Sequence, residues 1–207
     1  RLITDCKCPN AAGRVETRNA SLFPWGKILT PIGIDSDYEA AICLVDEIDA
    51  LEVRHGVIMV NVAPRNGMAK KWANGTPFGE LSVGNARIFS TIDGYTLSLL
   101  QEILGSKLNV RLYDIPEVVR CLDLTPEVQA RIINSQFRSF DFLPRLAAAR
   151  VRGMELPSTL FREVPALPEV ILYRDNFGNM KTSVLFRGQF KPGQTLSVRV
   201  GESPCLQ

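Results

Sequence analysis

The chain alternates between short apolar runs and polar stretches whose hydrophobic residues recur at helical spacing. Leu2-Ile3-Thr4-Asp5 is the first such run and predicts a short buried strand that ends in a carboxylate. A short helix is expected over 11–22, weakened by Gly13 and Asn19, and a further strand over 27–30. Asp35-Ser36-Asp37-Tyr38-Glu39 opens a clearer helix, because Ser36 and Glu39 form the S-x-x-E capping pattern and the acids suit the helix dipole. Tyr38, Ala41, Ile42, Val45, Ile48 and Leu51 then predict one core-facing stripe. Residues 56–62 form an almost unbroken apolar run, as expected of a strand covered on both faces. It ends in Ala63-Pro64-Arg65-Asn66-Gly67, the start of a polar connector over 66–79 that carries Lys70, Lys71 and Trp72.

The same reading continues downstream. Leu81-Ser82-Val83 and Arg87-Ile88-Phe89 flank a Gly84-Asn85 hairpin turn. Asp93-Gly94 leads into a helix marked by Tyr95, Leu97, Leu99, Leu100 and Ile103, and 110–113 alternates as a strand. Thr125 as N-cap and Pro126 at the first helical position start a helix to about Asn134. Residues 137–141 read as a link into a small helix over 143–149. Pro157, Pro165 and Pro168 punctuate a linker, beyond which strands are expected at 169–174, 182–187 and 195–200. The expectation is an α/β domain with a central sheet over 1–155, a linker over 156–168, and a small all-β, barrel-like domain over 169–207.

Composition narrows the function classes. An apolar content of 45% supplies a sizeable core, and a formal charge of +2 gives no electrostatic reason to expect nucleic acid or a membrane surface as partner. No apolar run approaches the roughly 18 residues that span a bilayer. The chain opens on Arg1 without a signal-peptide core, which suggests a trimmed end or a fragment. Cys6, Cys8, Cys43, Cys121 and Cys205 form an odd, irregular set and point to reduced thiols in a cytoplasmic protein. Cys6-Lys7-Cys8 has no second ligand pair, so no metal is expected, and His55 reads as structural rather than as a general base.

The loop Asp175-Asn176-Phe177-Gly178-Asn179 carries a carboxylate, a carboxamide and a flat ring between two strands. Such a set suits a ligand with an ammonium group and a planar base, but turns select the same residue types. Asp5 is placed either to accept bonds from ribose hydroxyls or to cap the turn after its strand.

Taken in order, these segments resemble the S-adenosylmethionine hydroxide adenosyltransferase family, which also contains the fluorinase and chlorinase enzymes. Ile3-Thr4-Asp5 is similar to its opening strand, and Asp37-Tyr38-Glu39-Ala40-Ala41 to the helix after its second strand. Gly56-Val57-Ile58-Met59-Val60-Asn61-Val62-Ala63-Pro64 resembles its Gly-x-Val-His-Val-x-Val-Val-Asp-Pro segment. Residues 89–100 resemble its Pro-Asn-Gly-Leu-Leu region, and 137–144 its Phe-His-Gly-Arg-Asp segment. Asp175 to Asn179 with Thr182 is similar to Asp-Arg-Phe-Gly-Asn-x-x-Thr-Asn.

The resemblance implies a homotrimer with inter-subunit sites for an adenosyl ligand, S-adenosylmethionine being substrate or ligand and no separate cofactor being needed. Asp5 would bind ribose, Asp175 the methionine ammonium, and Phe177 and Asn179 the adenine side, with Asn66 and Asp93 also facing the substrate. The implied reaction is hydrolysis to adenosine and methionine by attack at the 5′ carbon. The family's water-activating Asp, Arg and His positions read Ala63, Lys70 (or Lys71) and Arg138 here, which leaves Lys70 and Arg138 as catalytic candidates. The halide-binding Tyr and Thr read Ala63 and Asn66, so halogenation is not implied. The Pro-Asp-Asn-Gly segment is altered to Thr91-Ile92-Asp93-Gly94, and with the chain stopping at Gln207 the adenine wall is expected to be incomplete. The alternative is a catalytically degenerate nucleoside-binding or trimeric interaction protein.

Overall fold

The computed structural model describes residues 1–6, 9–29, 32–52, 54–64, 76–135 and 137–184, with the backbone alone for 9–12. The expected strands at 195–200 and beyond 184 in the 182–187 segment lie outside the described residues, as do Cys8, Asn66, Lys70, Lys71 and Cys205. The first half comprises β1 (Leu2–Thr4), α1 (Pro9–Leu22), β2 (Ile32–Gly33), α2 (Asp37–Leu51), β3 (Gly56–Asn61), β4 (Phe78–Val83) and β5 (Ala86–Thr91). It continues through α3 (Ser98–Leu104), β6 (Val110–Tyr113), α4 (Ile115–Cys121), α5 (Pro126–Asn134), α6 (Arg138–Asp141) and α7 (Leu143–Val151). The chain then forms β7 (Thr159–Phe161) and a hairpin of β8 (Ile171–Arg174) and β9 (Met180–Thr182).

Seven strands make one mixed sheet in the order β2-β1-β3-β5-β4-β6-β7, and β8 with β9 forms a separate antiparallel pair. β2, β1, β3 and β5 are parallel, so their carboxyl ends share one edge of the sheet. β4 runs antiparallel between β5 and β6. β3 is covered on both faces, as its unbroken apolar run predicts. Met59 joins Phe89 and residues of α4, α5 and α7 on one side, whereas Ile58, Val60 and Ile88 join Ala40 and Leu44 of α2 on the other.

Three expectations change. Residues 27–29 of the strand expected at 27–30 form no strand, and residue 30 lies outside the described residues; the strand at this place is β2, which pairs with β1 as Ile3↔Ile32 and Thr4↔Gly33. Within the expected linker, Thr159–Phe161 is β7, an edge strand pairing Val110 with Phe161. The prolines there flank the strand and do not interrupt it. The residues expected to link into the small helix form α6, and α7 is buried throughout Leu143 to Arg150, including both arginines. α4, capped by the Asp114 side chain, had no counterpart in the sequence reading.

α2 also differs from the single stripe. Ser36 Oγ accepts from Glu39 N–H at 3.1 Å as the capping pattern predicts, but the Glu39 carboxylate reaches back to Asp35 N–H at 2.7 Å. Ala40, Ala41 and Leu44 are its fully buried residues. Tyr38, Ile42 and Val45 lie half-buried in a separate cluster with Leu99 and Leu172, beneath the hairpin. The helix therefore has two apolar faces, one on the sheet and one under β8. Lys181 bonds Asp46 at 2.8 Å and holds the hairpin from its exposed side.

A buried ion cluster joins β4 to α7. Glu80 Oε2 accepts from Arg150 Nε at 2.8 Å and from the Tyr113 hydroxyl, and Glu80 Oε1 accepts from Arg87 Nε at 2.7 Å. The Glu80 and Arg150 side chains are each 6% exposed. Burial alone would raise the Glu80 carboxyl, but the bonds from Tyr113, Arg150 and Arg87 outweigh it and hold the group below the ordinary carboxylate range. Glu80→Gln keeps the volume and leaves Arg150 buried against a neutral amide, so urea unfolding at pH 7 should show a loss of about 3–5 kcal/mol. Because folding lowers this pKa, the wild-type advantage is present above the ordinary glutamate value of about 4.3 and is lost as the pH falls through the lower, folded value. The gap between wild type and variant should therefore stay level from pH 7 to 5 and narrow below that.

Candidate functional site

The parallel strands bring three chain segments side by side at their carboxyl edge. Asp5 follows β1 and accepts the Ala63 N–H on Oδ2 at 3.2 Å, which ties it to the chain leaving β3. Thr91 ends β5, donates its hydroxyl to Val62 O at 3.0 Å and accepts from Val62 N–H at 3.4 Å. Asp93, two residues on, is buried and continues the same edge. Asp5, Ala63 and Asp93 thus sit on three adjacent strand ends, where open α/β sheets take their ligands.

The start of α2 closes one side. Asp37 is 2% exposed, and its Oδ2 accepts the Tyr95 N–H at 2.9 Å. Gly94 takes φ +73°, and a Cβ there would meet Asp37 Oδ2 at 2.5 Å and Pro64 Cβ at 2.9 Å. Only glycine lets the β5 loop approach both the helix and the β3 loop this closely. The rings of Tyr38 and Tyr95 stack across the corner at 5.0 Å and 13°. Asp37 and this tyrosine pair were missed as site residues, since both were read as helix-start and core positions; their juxtaposition depends on the strand order, which spacing does not carry. Close by, the buried Thr96 and Ser98 hydroxyls have no partner among the described residues.

The Asp175 loop is bonded within itself. It caps the β8–β9 hairpin, and Asp175 Oδ1 accepts the N–H groups of Phe177 at 2.9 Å and Asn179 at 2.8 Å. Oδ2 accepts from Asn179 Nδ2 at 2.7 Å, and Gly178 takes φ +90°. The amide bond from Asn179, ahead of the backbone bonds, holds the Asp175 carboxyl below its ordinary range. Phe177 is 84% exposed. Among the described residues, the hydrogen bonds of Asp175, Phe177 and Asn179 stay inside the loop, and none reaches Asp5 or Asp93.

Arg138 opens α6, half-buried, and donates Nε to Ser135 O at 2.8 Å. Burial lowers its pKa from the ordinary arginine value, yet it remains a cation near neutral pH. Ala63 donates its backbone N–H to Asp5 and has no side-chain acceptor. Lys70, Lys71 and Asn66 lie outside the described residues. Among the described residues no group of three or more His, Cys, Asp or Glu is placed to hold a metal ion, and no helix is long and apolar enough to cross a membrane. Cys6, Cys43 and Cys121 are free thiols, and His55 is exposed.

No protein-family model matches the chain, and no curated protein does. Among solved structures it is similar to an uncharacterized conserved protein from Thermotoga maritima, with a TM-score of 0.59 at 15% identity, over 87% of this chain and 69% of that one. Likeness at this identity shows the α/β fold alone.

Two measurements test the corner and the helix behind it. Gly94→Ala should cost at least about 2 kcal/mol more than Gly105→Ala, because Gly105 at φ +63° has open space where Gly94 meets Asp37 and Pro64. Equal losses in urea unfolding would remove the close approach. On α2, burial first and then Glu47, Asp46 and Glu39 push the Cys43 thiol up to about 11. Peptide-resolved iodoacetamide labelling at pH 8 should find Cys43 at least tenfold slower than exposed Cys121.

Proposed function

We propose that the chain holds an adenosyl ligand, S-adenosylmethionine or adenosine, against the carboxyl edge of β1, β3 and β5. The observation that carries this reading is the position of Asp5, an acid on a strand end beside Ala63 and Asp93, where ribose hydroxyls find an acceptor. The Tyr38–Tyr95 pair stacks beside this edge, next to Asp37 and Gly94. Asp175, Phe177 and Asn179 form no hydrogen bond with this edge in their own chain, so the reading brings them from a neighbouring copy in a homotrimer. The free thiols at Cys6, Cys43 and Cys121 are in keeping with a cytoplasmic setting.

The reaction the resemblance adds is hydrolysis: water attacks the 5′ carbon, the carbon–sulfur bond breaks, methionine leaves with the electron pair, and one proton is released with adenosine. Sulfonium is a good leaving group, so the protein has chiefly to position the ligand and the water. Ala63 and Arg138 supply no base for that water. These two residues favour retained binding with slow turnover, and at the limit a degenerate nucleoside-binding or trimeric interaction protein.

Calorimetry should register binding of both S-adenosylmethionine and adenosine, and Asp5→Ala should weaken each at least tenfold. Asp175→Asn keeps an oxygen for the Phe177 and Asn179 N–H groups while removing the charge, so it should weaken S-adenosylmethionine much more than adenosine. Silence for both ligands in the wild type would end the adenosyl reading. Chromatography after incubation with S-adenosylmethionine, with and without chloride, separates hydrolysis from binding alone.

A further inference from the structure

Arg14 and Arg18 of α1, Arg145 of α7 and Arg131 of α5 lie on one side of the molecule, where α1 and α7 pack against α6 and its Phe140. Arg14 and Arg18 place Cζ at 4.6 and 4.5 Å from the Phe140 ring centroid. Arg145, from α7, is 8% exposed, and its side chain has one hydrogen bond among the described residues, from Nη1 to the Asp141 carbonyl. Burial first, and then the nearby charges of Arg18 and Arg131, lowers the Arg145 pKa; Asp141 opposes this. The Asp141 carboxylate is itself engaged, accepting the Ser135 hydroxyl on Oδ2. No salt bridge from the described residues reaches Arg14, Arg18, Arg131 or Arg145.

A guanidinium taken out of water beside a single carboxylate that is already shared with Ser135 is costly, and like charges gathered around it add to that cost. Arginine is also the side chain whose planar fork matches an oxyanion. Stacking on Phe140 fixes two of the four and removes part of the ordering cost of binding. We propose that Arg14, Arg18, Arg131 and Arg145 form a site for a compact phosphorylated anion, a phosphate or diphosphate group, separate from the strand-end edge. The burial of Arg145 suits one compact group, and a net charge of +2 provides no long-range field to gather a polyanion.

Calorimetry on the full chain at constant ionic strength tests this with inorganic phosphate, inorganic diphosphate and adenosine diphosphate. Diphosphate should bind more tightly than phosphate, and Arg18→Gln and Arg131→Gln should each weaken it at least fivefold. Both variants should unfold at or above the wild-type midpoint without anion, because each removes a repelling charge. Arg54→Gln is the control: Arg54 bonds Ala50 O beyond the far end of α2, and its loss should change nothing. Tighter binding of adenosine diphosphate than of diphosphate identifies a nucleotide-borne group, and the reverse order a free anion. The proposal is overturned by silence with all three anions, by equal losses in Arg54→Gln, or by a single-stranded oligonucleotide that outcompetes diphosphate. Asp5→Ala should leave diphosphate binding intact whatever becomes of adenosyl binding; a loss there would place the anion on the strand-end edge and also overturn the separate site.

Discussion

The edge on which the functional reading rests is held by side chains that act as backbone. β3 ends at Asn61, yet Val62 still finds both a donor and an acceptor in the Thr91 hydroxyl, and Ala63 donates to Asp5. A ladder that simply stopped would leave these peptide groups to water and let the three loops diverge. Here the loops after β1, β3 and β5 leave the sheet in register. That register sets Asp5, Pro64, Asp93 and Gly94 next to one another, and the close approach at Gly94 lets α2 present Asp37 and Tyr38 to the same place.

The Asp175 loop poses the opposite question, whether a residue that builds a turn is still able to serve a ligand. An ionised carboxylate offers about four lone-pair sites. Asp175 uses three within the loop, two on Oδ1 and one on Oδ2. The bonds from Asn179 and the loop backbone favour the charged carboxylate, and the remaining Oδ2 position can meet an ammonium group. The turn-forming and ligand-gripping readings are therefore compatible. Phe177, largely exposed, likewise has a ring face to offer.

Periodicity and punctuation made most of the elements legible, but not which charges lie inside. β3, the Gly84-Asn85 turn, α2 with its Ser36 cap and α5 with its Thr125 cap follow from local signals that survive packing. α7 does not announce its burial, because Arg145 and Arg150 look like the polar face of a surface helix. Its alanines let neighbours approach closely on every side, so both arginines are carried inward with the backbone. Glu80 is similar: in a strand it reads as an outward position, and only the β5-β4-β6 order brings Arg87, Tyr113 and Arg150 to it. β7 was hidden by prolines on both sides, and the Asp5–Ala63–Asp93 edge by sequence separations that only the parallel crossovers close.

The two buried arginines of α7 make a controlled comparison. Arg150 is met by Glu80 at 2.8 Å and by Glu155 at 3.3 Å, and donates to the Met154 carbonyl as well. One turn and a half earlier, Arg145 is as deeply set and receives a single carbonyl, while Arg18 and Arg131 press on it with charge of the same sign. Packing does not explain the difference, because both side chains leave the same short helix and both are nearly sealed. What distinguishes Arg145 is that Arg18, stacked on Phe140, and Arg131 press on it with only Asp141 opposing them, an arrangement that raises the energy of the empty site and lowers it when a multivalent oxyanion arrives.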